Sequence, residues 1–410
     1  MHILFLTDNF PPEVNAPASR TFEHCREWVA AGRRVTVVTC APNFPAGKLI
    51  GNYKNRLWQR EEVDGIDVIR VWTYITANEG FARRILDYLS FMLAGAVAAL
   101  FVRRVDVIVG TSPQFFTACA AWMASFAKRK PYIFELRDLW PESIKAVGAM
   151  RPGLALKWLE RVELKLYRDA ARVVAVTHSF RENLAARGID PARVCVISNG
   201  VDTSHFHPRP RDVALAESLG LGGRFVFGYV GTHGLAHGLE TLLESAQLLS
   251  DLPVSLVMLG DGARKAALRQ FARERGLDNV VFLDSVEKKD VPRFWSLLDV
   301  AVIHLRADPL FDAVIPSKLF ECMGMGLPIL HGVGGESARI VEHEDVGLCF
   351  PSGDARALAQ GVRRLAADAD LRARFSRNAV LAATRHDRRA LAARMLAVLD
   401  DVVAQAQKSR

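Results

Sequence analysis

Residues 299–326, DVAVIHLRADPLFDAVIPSKLFECMGMG, combine a short apolar run with a helix whose two ends are recognisable. The run at 299–303 predicts a buried strand, because short apolar runs are typical of parallel sheets that are covered on both faces. Pro316-Ser317 favours the start of a helix, and Gly324 or Gly326 ends it. The stretch therefore predicts a strand, a loop and a helix, which is the repeating unit of a doubly wound α/β domain.

The same alternation of short apolar runs and longer amphipathic segments recurs along the chain. The other runs predict strands at 2–7, 34–39, 67–71, 106–110, 131–136, 172–176, 194–197, 225–230, 254–259, 280–283, 328–331 and 347–350. A chain of 410 residues exceeds what one core usually organises, so we expect two domains. These are a first domain at 1–205 and a second at 206–385, with a C-terminal helix at 386–410 packing back on the first. The expected class is α/β, with two Rossmann-like domains whose loops face each other across a cleft.

Composition excludes a disordered or fibrous chain, since 50% of the residues are hydrophobic and 24% are charged. The six cysteines lie far apart, without a CxxC pair, at Cys25, Cys40, Cys119, Cys195, Cys322 and Cys349. This pattern favours reduced thiols in a cytosol. The N-terminal run at 2–7 lacks a preceding basic region and is shorter than a signal peptide, so we expect a cytoplasmic protein.

Positive charge is concentrated in the first half. Residues 1–200 contain 27 Lys and Arg against 19 Asp and Glu, whereas residues 201–410 contain 26 of each kind. An excess of this kind is compatible with anionic lipid, a phosphorylated substrate or nucleic acid as partner, or with solubility alone. No basic patch is interleaved with aromatic residues, so we expect no nucleic-acid partner.

One nearly continuous apolar segment, 85–102, is flanked by arginine pairs at 83–84 and 103–104. Its length approaches that of a membrane span. Asp87 lies inside it, and the strand at 106–110 follows too soon to lie beyond a bilayer. Two interpretations stay open: a helix buried against the sheet, or a helix in the membrane interface with its arginines at the headgroups.

The helix start at Pro316-Ser317 is suited to an anion such as a diphosphate, because exposed amides and the helix dipole both favour negative charge there. Lys318 in the first turn would neutralise charge on a departing diphosphate. Glu321 lies one turn on, on the same face, where a carboxylate can accept hydrogen bonds from both ribose hydroxyls. The alternative is an exposed Lys-Glu pair without a ligand.

This segment resembles the C-terminal signature of the retaining glycosyltransferases with the GT-B fold, family 4 type. That signature is a Glu-x7-Glu pattern, and Glu321 matches its second, ribose-binding glutamate. The first glutamate is replaced by Ala313, and Asp312 beside it is the suggested substitute. Residues 194–202 resemble the same family's stretch before the interdomain hinge, where Asn199-Gly200 suits a tight turn with positive φ.

A further match is Gly228 to Gly234, which resembles the family's first strand and loop of the nucleotide domain. Thr232 and His237 stand where many members have an arginine and a lysine, which implies that Lys318 and Arg306 take up the cationic role. Gly260-Asp261-Gly262 is interpreted as a strand-to-helix turn near the donor. The expected donor-binding residues are Gly231, Thr232, His237, Gly260, Arg306, Asp312, Pro316, Ser317, Lys318 and Glu321.

In the first half, 134–143 (FELRDLWPES) resembles a branch of the family that includes L-fucosamine and other amino-sugar transferases of bacterial O-antigen and exopolysaccharide assembly. Phe10 to Glu13, Ser19-Arg20 and Thr111 to Pro113 match it too. Asp138 would orient an acceptor hydroxyl, and Arg137 would meet an acceptor phosphate. The expected acceptor-binding residues are Arg20, Ser112, Arg137, Asp138 and Glu142, and the expected catalytic residues are Lys318, Glu321 and Asp138.

The resemblance implies a retaining transfer from a nucleotide diphosphate sugar, expected to be UDP-linked, to a lipid-linked or other saccharide acceptor. The cytoplasmic membrane surface is an expected partner. We expect no cofactor and no metal: Asp368-Ala369-Asp370 spells the DxD of metal-dependent transferases, but it lies between helical runs, where Asp commonly caps a helix. The alternative function is an isomerase like UDP-N-acetylglucosamine 2-epimerase, on the same fold.

Overall fold

The structure is a computed structural model that describes residues 1–13, 15–44, 47–76, 81–140 and 153–408. The chain divides into two compact units. The first comprises Met1–Ser198 and Arg388–Arg410, and the second comprises Asn199–Asp387. Each unit contains one largely or wholly parallel sheet with helices, which confirms the predicted class.

The first unit contains an eight-stranded sheet in the order β3-β4-β2-β1-β5-β6-β7-β8. Its elements are β1 (His2–Leu6), α1 (Ala16–Ala30), β2 (Arg34–Cys40), β3 (Trp58–Val63), β4 (Ile66–Val71), α2 (Phe81–Phe101), β5 (Val107–Thr111), α3 (Phe115–Lys128), β6 (Tyr132–Leu136), α4 (Leu154–Asp169), β7 (Arg172–Ala175), α5 (His178–Ala186) and β8 (Val194–Val196). All neighbours pair in parallel except β3 and β4. The strands β1 and β5 are entirely buried, which explains why both appear as nearly continuous apolar runs.

The second unit contains a six-stranded parallel sheet in the order β11-β10-β9-β12-β13-β14. Its elements are α6 (Val213–Ser218), β9 (Phe225–Val230), α7 (Glu240–Leu248), β10 (Val254–Leu259), α8 (Lys265–Glu274), β11 (Val280–Leu283), α9 (Val291–Trp295), β12 (Val300–His304), α10 (Lys318–Met325), β13 (Ile329–Gly332), α11 (Gly335–His343), β14 (Gly347–Cys349), α12 (Ala355–Ala367) and α13 (Ala369–Arg385). The helix α14 (Arg388–Lys408) follows and belongs to the first unit.

The helix α14 covers α1 in the first unit. Trp28 of α1 is fully buried, and its Nε1 donates a hydrogen bond to Ala392 O at 2.9 Å. Leu391, Met395 and Leu399 of α14 join the buried cluster that contains Trp28 and the strands β1 and β2. The last helix is thus part of the core of the first unit.

The strand β3 is the element that the sequence analysis missed. Its residues, WQREEV, are strongly charged, and each is exposed or half-buried because β3 is the antiparallel edge of the sheet. The turn to β4 is Asp64-Gly65, with φ of 49° and 77°. An Asp-Gly pair between two short strand-like segments is typical of a β-hairpin with both central residues at positive φ. This pair was the feature of the sequence that could have identified β3.

The apolar segment 85–102 forms most of α2. One side of this helix is buried against the first unit, as the first interpretation expected, whereas its contact with a membrane interface stays a prediction. Phe91, Ala98 and Ala99 are buried, and Lys128 of α3 donates hydrogen bonds to the carbonyls of Leu100 and Val102. The opposite side, here called the apolar face of α2, is about half exposed or more and consists of Leu86, Leu93, Val97, Leu100 and Phe101. Within the described residues, α2 is the one helix long and apolar enough to cross a membrane by length and composition.

Three local predictions have clear outcomes. The helix α10 ends at Gly326, whose φ of 67° is left-handed, as expected for a terminating glycine. Asp368 caps α13 by accepting a hydrogen bond from Leu371 N at 2.8 Å, which confirms the capping interpretation. The tight positive-φ turn predicted at Asn199-Gly200 is wrong, because neither residue has a positive φ.

Candidate functional site

Two glycine-containing turns meet at the carboxyl ends of β9 and β10 in the second unit. Gly231 follows β9 with φ of 143°, and Gly260 follows β10 with φ of 142°. A Cβ on Gly260 would lie 1.9 Å from Gly231 O, so only glycine fits there. The structure therefore brings together two of the predicted donor-binding residues, with bare backbone at the strand ends where ligands of such sheets bind.

The same two turns are tied by main-chain hydrogen bonds. His233 N donates to Asp261 O at 2.8 Å, and Arg264 N donates to His233 O at 2.9 Å. Gly262, with φ of 152°, allows this approach, since its Cβ would lie 2.6 Å from His233 O. The predicted turn at 260–262 thus also fixes the loop after β9.

Lys318 extends from the first residue of α10 towards these turns. Its Nζ would lie 2.4 Å from a Cβ on Gly231, and it lies 3.8 Å from the centroid of the Tyr229 ring. Lys318 forms no ion pair with any residue that the structure describes. Burial lowers the pKa of Lys318 to about 8, opposed by the carboxylate of Glu321. An ammonium that forms no ion pair and lies beside open backbone is suited to bind an anion.

The start of α10 provides the second part of this candidate anion site. Ser317 is the N-cap and makes no side-chain capping bond. The amides of Leu319 and Phe320 bond to Pro316 O and Ser317 O, at 3.0 and 3.1 Å. Glu321 lies in the same first turn and is half-buried, as are Pro316 and Ser317. The predicted anion and ribose contacts of this helix start stay predictions.

Two histidines flank the Tyr229 ring, and one of them was missed by the sequence analysis. His233 is fully buried, and neither ring nitrogen has a hydrogen-bond partner among the described residues. Burial, together with the charges of Lys265 and Lys318, lowers the pKa of His233 to about 4. Burial and Lys318 likewise lower the pKa of His237 to about 4. Both rings are therefore neutral at physiological pH. The position of His233 in the loop directly after the apolar strand β9 was the feature of the sequence that could have identified it.

The remaining predicted donor-binding residues lie around this centre. Thr232 is exposed, and its carbonyl accepts a hydrogen bond from Tyr229 Oη at 2.9 Å. Arg306 is also exposed, and its amide donates to Ala236 O at 2.9 Å. Asp312 is exposed and lies against the glycine pair Gly334-Gly335 at the start of α11: a Cβ on Gly334 would be 2.4 Å from Asp312 Oδ1. The bare backbone of this pair leaves room for the Asp312 carboxylate.

In the first unit, Arg20 is buried, and each nitrogen of its guanidinium group donates a hydrogen bond. Its Nε donates to Glu135 Oε1 at 2.9 Å, and its other nitrogens donate to Ser198 O at 2.6 Å and Ile197 O at 2.9 Å. Burial raises the pKa of Glu135, but the charges of Arg20 and Arg137 outweigh it and lower that pKa to about 2. These contacts give Arg20 a structural role, and its predicted contact with an acceptor stays a prediction.

Ser112 organises the loop that follows β6. Its Oγ accepts hydrogen bonds from Arg137 N at 2.7 Å and Asp138 N at 3.2 Å. Burial lowers the pKa of Arg137 to about 10, and its side chain donates to Pro17 O at 3.2 Å. The structure therefore brings Ser112, Arg137 and Asp138 together at the carboxyl end of the sheet, whereas Glu142 lies outside the described residues.

A pair of acids near the end of β1 was not predicted. Burial, followed by the neighbouring carboxylate of Asp87, raises the pKa of Asp8 to about 8. Burial also raises the pKa of Asp87, on α2, to about 7. An acidic residue directly after the first strand of a doubly wound domain was the available signal, because that position lies at the ligand edge of the sheet.

Two family matches cover most of the chain. Residues 15–200 match the family described as "Glycosyl transferase 4-like domain", and residues 214–381 match the family described as "Glycosyl transferases group 1". The first range contains the Ser112 loop, and the second contains the Lys318 centre.

Individual proteins similar to this chain match most of its length. The chain is 26% identical over 378 residues to "Putative colanic acid biosynthesis glycosyl transferase WcaI" of Escherichia coli (strain K12), covering 89% of this chain and 92% of that protein. The sucrose-phosphate synthase of Thermosynechococcus elongatus superposes with a TM-score of 0.79 at 17% identity, over 98% of this chain and 99% of its own. Anabaena Alr3699/HepE in complex with UDP and glucose gives 0.73 at 20% identity, over 97% and 99%. The two structures are evidence for a shared fold.

Proposed function

Since the chain belongs to the glycosyltransferases with the GT-B fold, of the family 4 type, we propose that it moves a sugar from a UDP-linked donor to a saccharide acceptor in bacterial surface polysaccharide biosynthesis. The observation that carries the donor assignment is the Lys318 ammonium, which forms no ion pair with the described residues and lies against Gly231. The name of WcaI supports the polysaccharide context, and the UDP bound to HepE supports the donor class. Both family matches are to glycosyltransferases, which favours transfer over epimerisation.

We assign the donor groups to the second unit as follows. The diphosphate lies between the turn at Gly231 and the start of α10, with Lys318 neutralising the charge that develops as the bond to the sugar breaks. Glu321 accepts the ribose hydroxyls. Asp312 takes the place of the missing first glutamate and contacts the donor sugar.

The reaction proceeds with retention and without a metal. The departing diphosphate oxygen accepts the proton of the acceptor hydroxyl on the same face, so the protein supplies position and charge stabilisation. Among residues that the structure describes, no three His, Cys, Asp or Glu side chains form a group able to hold a metal ion. Lys318 then carries the cationic role that a metal fills elsewhere.

Release of UDP from UDP-sugars in the presence of EDTA tests the donor and the metal proposals together. We expect slow hydrolysis of at least one UDP-sugar, faster with an acceptor extract, and unchanged by EDTA because no metal takes part. A chelated sample that regains activity only with manganese or magnesium would contradict the metal-free mechanism. A nuclear magnetic resonance spectrum of the released sugar, taken before mutarotation, distinguishes retention from inversion.

The acceptor is proposed to be a lipid-linked saccharide bound by the first unit. Asp138 orients its hydroxyl and Arg137 meets its phosphate, and the positions of both after β6, with their amides on Ser112 Oγ, support this assignment. The excess of positive charge in residues 1–200 favours an anionic acceptor.

We propose that the protein is cytoplasmic and binds the inner membrane surface through the apolar face of α2. Trp58 on β3 extends this face, since the centroid of its ring lies 6.1 Å from that of Phe101 and the residue is 44% exposed. Arginines follow the helix at 103 and 104 and occur in its first turn at 83 and 84. An apolar stripe bounded by cations is typical of helices that lie in a membrane interface.

Replacing both Leu93 and Phe101 with glutamine should reduce binding to liposomes that contain anionic lipid, without lowering the melting temperature. Both side chains are more than half exposed, so their loss costs the fold little. Co-sedimentation at low and high salt measures the binding, which should be partly salt-sensitive because each nearby Lys or Arg contributes about 1 kcal/mol. The matched control is Leu381→Gln, an equally exposed leucine in the second unit. Absence of lipid binding by the wild type would leave a soluble acceptor as the better proposal.

A further inference from the structure

We propose that Tyr229 is a positioning residue whose ring face holds the ammonium of Lys318 at the donor site. This inference rests on the proposed donor site and concerns a residue to which neither the sequence analysis nor the family signature gives a role. Lys318 Nζ lies 3.8 Å from the centroid of the Tyr229 ring, well inside the range of a cation–π contact. The contact joins the next-to-last residue of β9 to the first residue of α10, two elements that are far apart in sequence.

The fold fixes the ring in one orientation. Tyr229 is fully buried within the cluster that includes Leu242 and Met258, and its Oη donates to Thr232 O at 2.9 Å. The same hydrogen bond holds the loop that carries Gly231. Because Gly231 has no side chain, the Lys318 stem can pass over it, where a Cβ would lie only 3.1 Å from Cε. The ring therefore orients both the lysine and the loop beneath it.

An aromatic face differs from a carboxylate because it leaves the positive charge of the ammonium available to a ligand. A carboxylate within 4 Å would neutralise the ammonium and compete with an incoming diphosphate, whereas the ring attracts the cation and keeps its charge. The rings of His233 and His237 flank Tyr229, with centroids 6.0 and 5.9 Å from it. Both histidines are neutral, so neither repels the ammonium.

Holding Lys318 in advance also reduces the cost of binding. A free lysine side chain loses rotamer entropy when a ligand immobilises it, and a side chain that is already ordered does not. We infer that Lys318 stays over the ring while its remaining hydrogens meet the diphosphate. Tyr229 then acts through Lys318, and its contribution disappears when Lys318 is absent.

A double-mutant cycle tests this dependence, with UDP as the probe and calorimetry as the measurement. Tyr229→Leu should weaken UDP binding about tenfold, and Tyr229→Phe less than about threefold because the ring face remains. In a Lys318→Ala background, Tyr229→Leu should change the affinity by less than about twofold. Equal losses in both backgrounds would overturn the inference and reduce Tyr229 to a core residue, while leaving the donor site intact. If wild-type protein binds no UDP, the donor proposal itself fails, and the inference fails with it.

Two further measurements cover the case in which Tyr229→Leu does not fold. Phenylalanine analogues with one, two and three fluorines at position 229 keep the shape of the ring and progressively weaken its attraction for a cation. UDP affinity should fall stepwise along this series, and a flat series would overturn the proposal. Without any nucleotide, the ε-methylene protons of Lys318 should be shifted upfield by the ring current, and an unshifted signal would contradict the contact.

Discussion

Lys318→Ala is expected to lower the rate of sugar transfer by about 10²–10³-fold, which is typical for removal of one group that stabilises developing anionic charge. The KM for the UDP-sugar should change much less, because the ammonium contributes most to the charge that develops on the departing diphosphate and that free UDP carries in full. Steady-state kinetics with varied donor concentration separates the two parameters. The matched control is Lys289→Ala, an exposed lysine of the same unit whose partner is Glu287.

Glu321→Ala should have the complementary effect, weakening UDP binding about tenfold or more while changing turnover little, since a carboxylate on ribose acts equally in all bound states. Equal, small effects of Lys318→Ala and Glu321→Ala would locate the donor site elsewhere in the protein.

The rate of sugar transfer by the wild-type protein should also fall as the pH rises through about 8, because Lys318 loses its proton there.

Gly260→Ala is expected to have the largest effect on the fold of the second unit. The new Cβ would lie 1.9 Å from Gly231 O, and φ of 142° is strained for any residue with a side chain. Overpacking and backbone strain together should lower the free energy of unfolding by about 4 kcal/mol. Even if the unit folds, separation of the two turns should abolish measurable UDP binding.

Gly276→Ala is the matched control for this substitution. Its φ of 59° is also left-handed, but a Cβ there would meet nothing within 4 Å. Only the backbone cost applies, about 1 kcal/mol. Thermal unfolding of both variants measures the difference in their stability. Similar melting temperatures for the two would show that the close approach of the turns does not contribute to stability.

The sequence predicted the sheets more completely than the site. Buried parallel strands such as β1 and β10 have nearly continuous apolar runs, so their pattern is evident without the structure. The edge strand β3 has no apolar run, since its charged residues pair with β4 on one side and face solvent on the other. Hydrophobic pattern alone therefore identifies the centre of a sheet better than its edge.

Within the candidate site, residues that act through main-chain geometry were the easiest to predict. Gly231 and Gly260 follow strands directly, and Lys318 follows a recognisable helix start. Tyr229 and His233 were not predicted, because in sequence they look like part of a buried strand and its loop. Their relation to Lys318 depends on which strands are neighbours: β9 pairs with β12, and β12 leads to α10. Such a juxtaposition is a property of the topology and is not visible in local sequence.

The return of α14 to the first unit has a consequence for how the protein is made. The second unit is one continuous segment, whereas the first needs both the beginning and the end of the chain. During synthesis, residues 1–198 emerge first, yet Trp28 lacks its cover until Ala392 and its neighbours leave the ribosome. The second unit is thus complete while the first still exposes the face of α1 that α14 will bury. The unit whose residues are mostly translated first therefore completes its fold last. Until α14 is made, the apolar face of α1 is exposed to solvent.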